Sequence, residues 1–79
     1  MLKIIDNYEP SLEMLQELVD GYIEVVTLNN GDFLVFNEKG RMKNLNHNSE
    51  ATKIYQEQGG MRGIDIVGMA VLVKKGLLK

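Results

Sequence analysis

The chain has no cysteine, a single proline, a single histidine and no apolar run longer than residues 66–73, and each shortage removes a class of function. Without cysteine there is no disulfide, no thiolate metal site and no redox pair. One histidine cannot build the converging ligand set of a metal centre, and His47, set among loop asparagines, reads as a solvated side chain. The apolar run falls far short of the roughly 20 residues that a membrane-spanning helix needs. Lys and Arg number 9 against 11 Asp and Glu, a net charge of -2, so no electrostatic footprint for nucleic acid stands out. Lys74, Lys75 and Lys79 form a basic end that reads as a solvated tail. The opening MLKIIDNYEP is too short and too acidic for a secretory signal. What remains is a soluble protein, expected in the cytoplasm, with no metal, cofactor, membrane or nucleic acid to serve.

With 79 residues and 44% hydrophobic content, the chain has the size and composition of a single small globular domain, residues 1–79. No internal repeat or low-complexity segment interrupts it. Its most informative stretch is GYIEVVTLNNGDFLVFNEKG, residues 21–40, which reads as a β-hairpin turning at Asn30-Gly31. That dipeptide suits a tight I′ turn, which needs φ > 0 at both central residues. The turn predicts that Leu28 faces Phe33, Val26 faces Val35 and Glu24 faces Asn37. Val26, Leu28, Phe33 and Val35 then share one apolar face, while Ile23, Val25, Leu34 and Phe36 share the other.

Residues 2–5 predict a short first strand. Ser11 is suited to cap a helix whose stripe is Leu12, Leu15, Leu18, Val19 and Tyr22, with Gly21 as the left-handed residue that ends it. Asn48 or Ser49 can cap a second helix over residues 50–58, buried on Ala51, Ile54 and Tyr55. Residues 64–74 are rich in Val and Ile and predict a central strand, with Gly68 marking a bulge, a bend or a close approach. The order is β-α-β-β-α-β, an α+β fold with a small four-stranded, mainly antiparallel sheet and both helices on one face. A hairpin apolar on two faces then leaves one face bare. Either the strands curl into an Sm-like small barrel with an N-terminal helix, or a second copy covers the bare face through Val26, Leu28, Phe33 and Val35.

No nucleophile and base stand in catalytic relation, so a non-enzymatic role is expected. Glu24, Asn37 and Glu38, at the open end of the hairpin, are the polar residues from which a site shared between copies would be assembled. The one glycine-rich loop, Gly59-Gly60-Met61-Arg62-Gly63, carries a cation. With Asn46, His47 and Asn48, Arg62 offers a ligand-binding alternative that would take a small molecule or nucleotide.

Four segments, LQELVDGYIEVV (residues 15–26), NEKG (37–40), LNHNSEAT (45–52) and DIVGMAVLV (65–73), resemble in order a small domain family of unknown function. That family is common in bacteriophages, plasmids and mobile elements. Asp20 stands where the family often has a second glycine. The resemblance implies a phage or mobile-element origin and brings no activity or site residues. Together these readings predict a phage-type accessory protein that works as a protein-interaction module, as a homodimer or with a host or phage protein partner.

Overall fold

A computed structural model describes residues 1–78. It comprises β1 (Leu2–Ile5), α1 (Leu12–Val19), β2 (Ile23–Thr27), β3 (Phe33–Asn37), α2 (Ser49–Glu57) and β4 (Ala70–Val73). The strands form one open mixed sheet in the order β1-β4-β3-β2. β1 runs parallel to β4, and the two remaining pairings are antiparallel. The expected α+β element order is therefore observed, and the sheet does not close into a barrel. No helix among the described residues is long and apolar enough to cross a membrane.

The two helices lie on opposite faces of the sheet, not on one. On the first face Leu15 and Val19 of α1 pack with Ile5, Val35, Val71 and Val73. On the second, Ala51 of α2 packs with Leu28, Leu34, Ile66, Ala70 and Leu72, and Ile54 and Tyr55 lean against them. Each fully buried Val, Leu or Ile side chain among them contributes about 1.5–3 kcal/mol. This arrangement removes the bare face that the sequence pattern implied, because the chain covers both faces itself. β4 is one of the two interior strands, with β3, and all its residues are buried.

Ser11 caps α1 as expected, accepting a hydrogen bond from the Met14 N–H at 3.1 Å. The helix ends earlier than its apolar stripe, so Tyr22 lies outside it and is 68% exposed. The left-handed residue at its end is Asp20 (φ 59), not Gly21. The Asp20 N–H donates to Gln16 and Glu17 carbonyls, closing the last turn. Asn48 caps α2 by accepting from the Ala51 N–H.

The hairpin register differs from the tight-turn expectation by one residue. Thr27 pairs with Phe33, Val25 with Val35 and Ile23 with Asn37, leaving residues 28–32 as the loop. Of the two turn residues only Gly31 has positive φ, so the I′ turn does not form. Two anchors lengthen the loop: Leu28 is buried in the α2-side cluster, and Asp32 is tied to the segment after β4. A one-residue slip moves every β2 side chain to the other face. Val26 and Leu28 consequently lie with α2, whereas Phe33 and Val35 lie with α1.

The final strand is shorter than its composition predicts. Residues 64–69 leave the ladder, Gly68 turns at φ 78, and a Cβ there would meet Leu45 Cδ1 at 2.7 Å. The bend turns Ile66 into the α2-side cluster, where its backbone N–H donates to Thr52 Oγ1 at 2.9 Å.

Candidate functional site

Arg62 and His47 line the same surface hollow, of about 650 Å³, together with Ser49, Thr52, Lys53, Gln56, Glu57 and Gly63. His47 Nδ1 lies 3.8 Å from Asp65 Oδ2, both side chains being half exposed. Asn46 and Asn48 do not join them there. Asn46 contributes its carbonyl to the Gly68 N–H, and Asn48 is 1% exposed with its side chain fully engaged. Its Oδ1 accepts from Ala51, while its Nδ2 donates to the carbonyls of Met1 at 2.7 Å and Gly68 at 2.8 Å. Asn48 is thus a structural junction of α2, the start of β1 and the bend before β4.

The four hairpin residues named for an interface are divided between the faces, and Leu28 (3% exposed) and Val35 (0%) are buried within the chain. They form no common surface because of the register and because each face has its own helix. The exposed apolar surface lies elsewhere. A hollow of about 520 Å³ beside the β2 edge is lined by Pro10, Leu12, Leu15, Ile23, Val25, Phe33 and Leu78, with Glu9 and Ser11 at its rim. Leu12 is 58% exposed and Val25 43% exposed. β2 is an edge strand, so one row of its backbone groups has no partner strand.

Asn37 mirrors Asn48 at the other helix. Its Nδ2 donates to the carbonyls of Val19 (3.0 Å) and Asp20 (3.1 Å), which end α1, and its Oδ1 accepts from the Lys39 N–H. Lys43 Nζ also donates to the Asp20 carbonyl, bringing a cation to a helix end whose last turn has no basic residue. With its amide spent on α1, Asn37 faces Ile23 rather than Glu24 across the hairpin.

Asp32 is a third internal anchor. It is 5% exposed; its Oδ1 accepts from the Lys75 backbone N–H at 2.8 Å and its Oδ2 from Lys74 Nζ at 3.2 Å. Burial pushes its carboxyl up, but the Lys75 N–H and the Lys74 ammonium outweigh burial and hold it below the ordinary carboxylate value. The Asn37 and Asp32 roles were missed because their partners lie far away in sequence. Asn37 ends the apolar run 33–36 and begins the NEKG turn, so its only local signal was that of a turn residue. No cluster of three or more metal-ligating side chains occurs among the described residues.

A model of the family DUF3846, a domain of unknown function, matches residues 2–76. The chain belongs to that family. No curated protein and no solved structure matches it. The match to the DUF3846 family spans both helices and all four strands. Within the four segments that carry the sequence resemblance, Asn37, Asn48, Thr52 and Gly68 all make contacts that hold helix ends and bends together. In this DUF3846 chain those residues hold the frame of the fold together.

Proposed function

We propose that the protein is a non-enzymatic interaction module, a cytoplasmic accessory protein of a phage or mobile element, that self-associates through its β2 edge. The observation that carries this reading is the unpaired edge strand lying against the exposed apolar hollow of Leu12, Val25 and Phe33. An added strand gains main-chain hydrogen bonds along such an edge, while the hollow receives alternate side chains. A second copy fits the edge. Antiparallel pairing about a two-fold axis at Val25 sets Val25 against its own copy and Ile23 against Thr27. It also sets Glu24 against Val26, so no like charges stand directly opposite. The axis keeps both α1 helices on one side of the extended sheet, and the two hollows then meet across the seam.

Native mass spectrometry of wild type, Val25→Lys and Ile4→Lys tests this reading. Ile4 is 57% exposed on β1, at the opposite edge of the sheet. The expected result is a dimer for wild type and Ile4→Lys and a monomer for Val25→Lys, with unchanged circular dichroism. A wild-type monomer at high micromolar concentration, or a dimer that Val25→Lys leaves intact, overturns it.

A further inference from the structure

We propose that the hollow between the outer side of α2 and the turn at Met61-Arg62-Gly63 binds a phosphomonoester. Arg62 and Lys53 both line it, and neither forms an ion pair among the described residues. Two cations without carboxylate partners on one concave surface are suited to an oxyanion, and the guanidinium fork can take two phosphate oxygens at once. The wall beneath them is fixed. Thr52 is 7% exposed, and its hydroxyl both donates to the Ile66 carbonyl and accepts from the Ile66 N–H. Because Asn48 supplies the helix cap, the Ser49 hydroxyl in the first turn is left for a ligand.

The turn opposite is open to close approach. Gly63 has φ +83, a conformation that side-chain-bearing residues resist, yet a Cβ there would meet nothing within 4 Å. Its glycine serves the backbone shape and leaves the space above the turn empty. His47, 3.8 Å from Asp65, flanks the cations, while Glu57 lines the hollow too and disfavours a second anionic group. A volume of about 650 Å³ exceeds what one phosphate group occupies, which leaves room for an organic portion of nucleoside size. A singly phosphorylated ligand with an uncharged body fits these walls.

Titration of the isotopically labelled protein at constant ionic strength, followed by amide NMR, tests the site with AMP and with inorganic phosphate. AMP is expected to give saturable shifts confined to Ser49, Lys53, Arg62, Gly63 and their neighbours, at least tenfold tighter than inorganic phosphate. Arg62→Ala should weaken AMP binding tenfold or more with the remaining spectrum unchanged. AMP shifts reproduced by chloride, AMP binding no tighter than inorganic phosphate, or wild-type affinity in Arg62→Ala each overturn the proposal. Val25→Lys should bind AMP as wild type does, so failure of the dimer and failure of this site are separate results.

Discussion

Asn37 and Asn48 hold helix ends that lie over opposite faces of the sheet, yet they work with opposite ends of the amide. At α1 the Asn37 NH₂ group donates to carbonyls that the helix leaves unpaired at its C-terminus. At α2 the Asn48 oxygen accepts an N–H that the helix leaves unpaired at its N-terminus, and its NH₂ is then free to bridge Met1 and Gly68. One side chain type serves both ends because it carries a donor and an acceptor. The difference lies in reach: Asn37 joins a helix end to a turn, whereas Asn48 joins a helix start to two other segments. Asn48 should therefore be worth more to stability.

The comparison can be broken by alanine substitution. Asn48→Ala loses a cap worth about 1 kcal/mol and leaves the Gly68 carbonyl unpaired at about 1 kcal/mol or more, while the Met1 carbonyl keeps the Ala70 N–H, so about 2–3 kcal/mol is expected from urea denaturation. Asn37→Ala should cost about 2 kcal/mol, since the Asp20 carbonyl keeps Lys43 and the turn is nearer solvent. A larger loss at Asn37 than at Asn48 would reverse the ranking. Asn37→Asp sharpens the contrast and should cost more than Asn37→Ala, because it sets a carboxylate against two carbonyls at the negative end of α1.

The smallest effect is expected at Asp32, and it should depend on pH. Its folded-state carboxyl titrates below its unfolded value of about 3.9, so its contribution is fully present above that pH and is lost as pH falls towards the folded value. Asp32→Asn should cost about 1–2 kcal/mol at neutral pH and progressively less in acid, read from thermal melts between neutral pH and pH 3. A penalty that stays constant across that range would show that the charge is not the source of the stabilisation.

Much of the fold was legible because its signals are local. The Ser11 cap, the Leu15 and Val19 stripe, the Asn48 cap and the bend at Gly68 each depend on residues within a turn or on φ. The register was not legible. Asn30-Gly31 prefers a short turn, but that preference is outweighed by the burial of Leu28 and the bonds from Asp32 to Lys74 and Lys75, over forty positions away. The placement of one helix on each face follows from chain crossing rather than from any helix's own pattern, so the two-faced hairpin was read as a vacancy. Of the ligand candidates, Arg62 and His47 do share a hollow, whereas Asn48 satisfied the capping role that its position before α2 also allowed.

β4 has a consequence for how the molecule assembles. It is the last strand among the described residues and the filling of the sheet, pairing with β1 from Leu2↔Ala70 to Ile5↔Val73 and with β3 on its other side. Its alternate residues supply both clusters, Val71 and Val73 to one and Ala70 and Leu72 to the other. The β2–β3 hairpin closes over a short loop, but the β1–β4 ladder must bring together the two ends of the sequence. Until that ladder forms, neither helix has a complete surface to sit on. Both clusters therefore close only once the final strand has left the ribosome, although both helices and the hairpin are made before it.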